Sequence, residues 1–231
     1  MKIKRTFSIV VWLLLISIYT GAWAQCKNEY FDYKDGSFLE LTSYNANGKV
    51  QGITALMYKE FRNSGNNTEA TVQMEMKDKK GKTDYETEYA YHCENGTIKY
   101  DLTVMMASSM QGLKNMEITI ESDNLEFPPN MKEGQSLKDA SMVITTTNSP
   151  IPMKMEMKIT NRKIAGKETV TTPAGTFECL KLTYDSHFTT MGAGKTSNHV
   201  VFIAKQVGTV KSEYYNSNGK LQGYDELTTI R

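Results

Sequence analysis

Apolar and polar residues alternate with a period of two along much of this chain, and that restricts it to β structure. The cleanest run is Tyr85 to Cys93. Tyr85, Thr87, Tyr89, Tyr91 and Cys93 fall on one side, and Glu86, Glu88, Ala90 and His92 on the other. Successive strand side chains point to opposite faces, so such a strand packs on one side and meets water on the other. Met116, Ile118 and Ile120 alternate with Glu117, Thr119 and Glu121 in the same way, and Met153, Met155, Met157 and Ile159 with Lys154, Glu156 and Lys158. Asn47-Gly48, Asn95-Gly96 and Asn218-Gly219 separate such runs, with Lys80-Gly81 as a weaker signal of the same kind. These pairs tolerate the positive φ of tight hairpins, so the pattern predicts a meander of antiparallel strands.

One segment departs from the pattern. Leu102, Met105, Met106, Met110 and Leu113 recur in steps of three and four behind Asp101, a capping residue. This predicts one short helix within 103–113, too short to stand without packing on the sheet. Pro128-Pro129 cannot continue a ladder and marks a crossing loop. The stretch Tyr44-Asn45-Ala46-Asn47-Gly48-Lys49-Val50-Gln51-Gly52 is echoed by Tyr215-Asn216-Ser217-Asn218-Gly219-Lys220-Leu221-Gln222-Gly223. Two copies do not make a solenoid. Either two similar hairpins solve one turn problem with the same residues, or an old duplication has left the first and last hairpins as neighbours.

The amino terminus sets the expected compartment. Lys2, Lys4 and Arg5 precede a charge-free apolar run from Phe7 to Tyr19, which ends in Ala22-Trp23-Ala24 before Gln25-Cys26. The run is shorter than the roughly 20 residues a membrane span needs and has the flanks of a cleaved secretory signal. Residues 1–24 are therefore expected to be removed, leaving 25–231 as one β-rich domain in the periplasm or extracellular space. A lipoprotein is the alternative, but Gln25 is not the small residue that lipid attachment to Cys26 would want. Loss of the three amino-terminal cations takes the formal charge of +1 to −2. No contiguous basic block marks a nucleic-acid footprint or a membrane-binding segment. An oxidising compartment with three cysteines suggests one disulfide and one thiol. Cys26 and Cys93 lie near element ends and are the expected bridge; Cys179, beside Phe177 and Leu180, is the expected buried thiol.

Methionine is the compositional oddity, with fourteen in the chain. Met105, Met106 and Met110 on the expected helix, Met153, Met155 and Met157 on one strand face, and Tyr89 and Tyr91 on another are the candidate ligand-binding residues. Methionine adapts to irregular apolar partners, so these residues fit core filling or a cleft for a lipid-like ligand; a copper(I) site is a weaker alternative. His187 and His199 would oppose each other if their hairpin centred on Ala193, with Asp185 near, but a zinc site needs three or four ligands. Gly192-Ala193-Gly194-Lys195-Thr196 lacks the leading glycine of a phosphate loop, since Thr189 occupies that place. No nucleophile elbow, zinc-protease helix or Cys-x-x-Cys pair occurs. No catalytic residue, metal site, cofactor, nucleotide or nucleic-acid partner is therefore expected.

Val170-Thr171-Thr172-Pro173-Ala174-Gly175-Thr176-Phe177-Glu178-Cys179 is the most specific string. Together with Val207-Gly208-Thr209-Val210-Lys211, and with Cys26, Tyr30-Phe31 and Lys34-Asp35-Gly36-Ser37, it resembles the secreted Gram-negative proteins called TapB-like, related to a larger family of unknown function. The resemblance implies a β-rich fold and carries no catalytic residues. By analogy such a fold is similar to the open half-barrels of periplasmic lipoprotein carriers. The expected fold is mostly β, an antiparallel meander curved into a half-barrel or open sandwich. The expected role is non-enzymatic binding of an apolar or amphiphilic ligand in the envelope. An interaction module that docks an envelope protein through a strand edge is the alternative, and a hydrolase the third.

Overall fold

The computed structural model describes residues 26–106, 117–147 and 153–231, with the side chains of Met105 and Met106 outside that set. The described chain forms one 13-stranded antiparallel sheet, curled into a nearly closed barrel. In chain order the strands are β1 (Phe38–Asn45), β2 (Val50–Ser64), β3 (Asn67–Asp78), β4 (Thr83–Glu94), β5 (Thr97–Asp101), β6 (Ile118–Ser122), β7 (Asn124–Phe127), β8 (Ala140–Thr146), β9 (Lys154–Thr172), β10 (Gly175–Thr190), β11 (Ala193–Ala204), β12 (Gly208–Asn216) and β13 (Leu221–Ile230). Their order across the sheet is β6-β8-β9-β10-β11-β12-β13-β1-β2-β3-β4-β5-β7.

The antiparallel expectation holds, with two topological refinements. First, β13 pairs with β1, so the first and last strands lie side by side at the middle of the sheet rather than at its edges. Second, β6 and β7, the two edges, are consecutive in sequence and separated only by Asp123. One extended segment thus pairs with β8 over its first half and with β5 over its second. Asp123 fixes the corner: its N–H donates to the Ser141 carbonyl, and its Oδ2 accepts from the Ser141 N–H and hydroxyl.

The echoed hairpins are neighbours, because β12–β13 lies beside β1–β2. Tyr44 pairs with Tyr224 across the junction, their rings stacked at 4.9 Å. In each turn one asparagine Oδ1 accepts two backbone N–H groups: Asn45 from Asn47 and Lys49, Asn216 from Asn218 and Lys220. The β3–β4 turn makes the same pair of bonds with Asp78, to Lys80 and Lys82. A third turn thus reaches the same local bonding solution with a different acceptor, while the adjacency of the two echoed hairpins is what a duplication would leave. The repeated glycines have a packing reason as well. A Cβ on Gly52 would lie 2.8 Å from the Lys77 carbonyl oxygen, and one on Gly223 would lie 2.6 Å from that of Tyr44.

The barrel has two unlike ends. The turns 46–49, 79–82, 191–192 and 217–220 follow strands that all run in one direction, so they form one rim. At the opposite end, the base, the segment 26–37 packs inward and fills the interior. Tyr33 stacks on Tyr58 at 4.0 Å, and Phe31, Tyr91, Tyr100 and Phe127 complete the aromatic cluster. Buried Asn28 ties this segment down by donating to the Gly96 and Phe127 carbonyls and accepting from the N–H groups of Tyr30 and Phe31. The β9–β10 hairpin bends over the base at irregularities between Lys181 and Leu182 and between Thr183 and Asp185. Its tip then reaches β13, where Ala174 N–H donates to the Leu227 carbonyl. The Thr-Pro-Ala-Gly string is thus the turn that seals the base.

Cys26 and Cys93 form a disulfide with Cα atoms 5.9 Å apart, and Cys179 is a buried thiol. The expected helix is described only at its start. Leu102–Met106 forms a 3-10 turn capped by Asp101, whose Oδ1 accepts the Thr103 N–H; residues 107–113 lie outside the described residues. Among the described residues no helix is long and apolar enough to cross a membrane.

Candidate functional site

On β1, β4, β9, β10 and β11 the inward-facing positions grade from closed to open, whereas those of β8 stay buried up to Thr146. On β10, Leu180 and Leu182 near the base are buried, whereas Tyr184, Ser186 and Phe188 nearer the rim are half-buried. On β9, Ile159 and Ile164 are buried, and Met155 and Met157 are not fully so. On β4, Tyr91 and Cys93 are buried, and Tyr85, Thr87 and Tyr89 are partly exposed. The same gradient separates Leu39 from Leu41 on β1 and Val201 from His199 on β11. Burial near the base is required because that end is sealed, while the rim half of the inner face is left with incompletely covered apolar surface.

The candidate residues divide accordingly. Met155 pairs with Thr190 and Ile144, and Met157 with Phe188 and Met142, so both sit on the rim half of the inner face. Met153 precedes β9, where its N–H donates to Thr146 Oγ1 at 2.8 Å. Tyr89 lies across from Val72 on the same face, and burial raises its hydroxyl pKa. Tyr91 sits deeper: it packs on Tyr33, Tyr58 and Phe61 and donates to the Phe31 carbonyl at 2.9 Å, which makes it part of the aromatic base. The backbone of Met105 and Met106 belongs to the 3-10 turn, and Met110 lies outside the described residues.

The histidine pairing is corrected by the hairpin register. Thr190 opposes Ala193, so the turn centres between Met191 and Gly192, and His187 faces Thr196 while His199 faces Tyr184. A shift of three positions along one strand exchanges the inner and outer faces for the partner residue. His187 is outward, bonded through Nδ1 to Thr196 Oγ1 at 2.9 Å. His199 is inward. Among the described residues no group of three or more metal-ligating side chains is assembled.

Sequence reasoning missed the polar cluster that the correct register creates. His199 stacks on Tyr184 at 4.5 Å with the planes 5° apart, and Tyr214 meets its ring edge-on at 5.5 Å. Its Nε2 is 2.8 Å from Ser186 Oγ, and its buried Nδ1 has no partner among the described residues. Burial pulls the imidazole pKa down to about 4, against a smaller opposing pull from Asp185. Asp225, also inward, is raised by burial, opposed by the Ser43 hydroxyl. Tyr184 is pushed up to about 12 by burial, partly offset by Arg162. At neutral pH the cluster therefore presents a neutral imidazole and hydroxyl groups among aromatic rings. The period-two spacing of Tyr184, Ser186 and Phe188 could have placed them on one face, but only the register joins them to His199.

Arg162, likewise missed, is 1% exposed on β9. It donates to the carbonyls of Lys138 and Glu126 and lies over the Phe127 ring at 5.0 Å, while its Nε has no partner among the described residues.

A separate open cleft of about 980 Å³ lies near the base; its lining includes Tyr30, Met131, Phe177, Lys132, Lys167 and Lys205. None of the candidate methionines or tyrosines lines it.

Comparison with known proteins gives the fold a context. No match was found among curated proteins. Two solved structures superpose over nearly their whole length. One, from Bacteroides fragilis and described as a candidate exported protein with a YmcC-like fold, has a TM-score of 0.72 and 22% identity, covering 88% of this chain and 99% of the other. The second, from Parabacteroides distasonis and described as a candidate lipoprotein, has a TM-score of 0.73 and 21% identity, covering 89% and 99%. At these identities the likeness concerns the fold. A model of the DUF3108-like family matches residues 34–227, a span that takes in β1 to β12, most of β13 and every element of the inner face, so this chain belongs to the DUF3108-like family.

Proposed function

We propose that this protein is an exported, non-enzymatic envelope protein that holds an apolar or amphiphilic ligand against the rim half of its inner barrel face. The supporting observation is the burial gradient on that face: Tyr89, Met155, Met157, Tyr184 and Phe188 remain partly uncovered where the same strands are closed at the base. An acyl chain there would recover apolar contact at about 25 cal/mol per Å² buried. The hydroxyls of Ser186 and Tyr184 and the neutral His199 ring supply hydrogen-bonding groups for a polar head.

Export is supported by the amino-terminal pattern and by the descriptions of the two structural relatives as an exported protein and a lipoprotein. The finer likeness to TapB-like proteins rests on the Val170–Cys179 string, with Val207–Lys211, Cys26, Tyr30-Phe31 and Lys34–Ser37 beside it.

A second reading, an interaction module, is favoured by one strand edge. β5 pairs only with His92, Cys93 and Glu94 of β4, so among the described residues nothing pairs with the outer side of Thr83–Tyr91. Such an edge can accept an extended peptide. A hydrolase is less well supported, because the Ser186–His199 pair has no carboxylate on Nδ1 among the described residues.

Native mass spectrometry of protein purified from its own envelope, with titration of a fluorescent fatty-acid analogue, tests the first reading. Met155→Asp should abolish analogue binding by placing an unpaired charge in an apolar site, and Met155→Leu should retain it. If the wild type carries no lipid and binds no analogue at micromolar concentration, the carrier reading fails and the strand-edge reading takes its place. Copper uptake that Met155→Leu removes would instead identify a thioether metal site.

A further inference from the structure

The rim turns carry a charge pattern that the linear sequence disperses. Lys49 sits in the β1–β2 turn, Lys79, Lys80 and Lys82 in the β3–β4 turn, Lys195 beside the β10–β11 turn, and Lys220 in the β12–β13 turn. All six are exposed, and none forms an ion pair among the described residues. The nearest acids balance them only in part: Asp78, held ionised by the backbone N–H groups of Lys82 and Lys80 and by the charge of Lys82, and Asp84 at the start of β4 are two carboxylates against six lysines. The chain as a whole is close to neutral, so the excess belongs to this end. The base, by contrast, mixes signs and pairs them, as in Lys205–Glu29, Lys138–Glu126 and Lys181–Glu168.

An apolar residue stands out from the same rim. Met191 is 70% exposed at the tip of the β10–β11 hairpin. Asn216, which begins the neighbouring turn, pairs with Ser197, so the Met191 tip projects on the order of 10 Å beyond that turn at about 3.3 Å per residue. An unbranched apolar side chain at the end of a projecting hairpin, flanked by lysines, suits the boundary between lipid head groups and acyl chains.

We propose that this rim docks the protein on a bilayer bearing anionic phospholipid, with the lysines against the head groups and Met191 in the interface. Charge complementarity selects the partner. Each lysine within a Debye length of such a surface strengthens binding about fivefold, so a lone lysine is negligible, whereas six together, even offset by the charges of Asp78 and Asp84, are sufficient for association. The rim is also the end toward which the inner face opens, which would place that face next to the membrane. The docking surface rests on the lysines and Met191, and does not require a ligand inside the barrel.

Flotation of the processed, exported protein with vesicles tests the proposal. Binding is expected to vesicles that contain phosphatidylglycerol, to be absent with phosphatidylcholine alone, and to fall as salt is added. The triple variant K79E/K80E/K82E should lower it by about a hundredfold or more. The pair Lys49→Gln and Lys220→Gln, on different turns, should lower it by about 25-fold, and Met191→Ser by several-fold. Analogue binding in the absence of vesicles should be unchanged in all of these variants, which separates this surface from the inner face. Equal binding to both vesicle types, or wild-type binding by the paired glutamine variant, would overturn the proposal. Failure to bind any vesicle would overturn it too, and would leave the rim to a soluble acidic partner.

Discussion

Arg162 Nη2 donates to the main-chain carbonyl of Glu126 at 2.9 Å, across the seam where the two edges of the sheet meet. β9, which carries Arg162, lies two strands in from one edge, and β7, which carries Glu126, is the other edge. The second arm of the guanidinium donates to Lys138, and Phe127 lies beneath it. Burial pulls the Arg162 pKa down to about 10, with Tyr184, Asp139 and Glu126 opposing, so it remains a cation at neutral pH. A planar fork that satisfies two carbonyls at once suits a closing clamp.

Replacing Arg162 by leucine leaves both carbonyls without that donor and should destabilise the protein by about 2–4 kcal/mol in urea unfolding. Arg162→Lys should recover little, because one ammonium cannot reproduce the fork. A leucine variant as stable as wild type would show that the seam holds without the clamp.

The Cys26–Cys93 bridge spans a sequence separation of 67. Its removal by Cys26→Ser should cost about 2–4 kcal/mol. One sulfur cannot both bridge to Cys93 and carry a thioether-linked lipid, so the native intact mass should lack a diacylglyceryl group. Alkylation after denaturation without reductant should label Cys179 alone. In the native state Cys179 should resist labelling, since burial, with Glu178 and Glu168 nearby, pushes its thiol up to about 11.

His199 should make stability depend on pH. Its pKa falls from an ordinary 6.5 to about 4 on folding. Between those values the unfolded chain binds a proton that the native state does not. The contribution is therefore complete above pH 6.5 and is lost as pH falls toward 4. Asp225 acts with the opposite sign: its pKa is raised, so its contribution is present at low pH and is lost as pH rises through the shifted value. Comparing wild type with His199→Gln isolates the histidine. The stability difference should fall by about 2 kcal/mol from pH 7 to pH 4, allowing for partial solvent screening of the ring. A pH-independent difference would refute the assignment.

Gly208 has φ +82, and a Cβ there would lie 2.1 Å from the Tyr33 hydroxyl oxygen. That hydroxyl donates to the Val207 carbonyl at 3.1 Å, so the close approach anchors the inward-packed amino-terminal segment. Gly208→Ala should cost about 2–4 kcal/mol from backbone strain and overpacking together. Adding Tyr33→Phe should recover part of this, since the nearest atom is gone while the strain remains. A double-mutant cycle with no coupling between the two positions would contradict the contact.

Much of the fold was legible because local rules act within a few residues. The alternation from Tyr85 to Cys93 reproduces the burial pattern of β4, and Asn-Gly pairs sit in the turns after β1, β4 and β12. A twofold side-chain period and the tolerance of positive φ need no knowledge of the rest of the chain. The Asp101 cap was equally local. The hairpin register was not, because nothing between His187 and His199 marks which pair of residues forms the turn, and an error there moves a histidine to the other face.

By itself the sequence determined the β character, the turn positions and the amphipathic face of each strand, all consequences of backbone geometry and short-range bonding. Tertiary structure decided which strands meet. It paired β13 with β1, split the segment from Ile118 to Phe127 between two edges, and drove Arg162 into the seam. It set His199 against Tyr184, and it gathered lysines from positions 49 to 220 onto one rim. These contacts join residues far apart in the chain, and their energies depend on distances that no local pattern encodes.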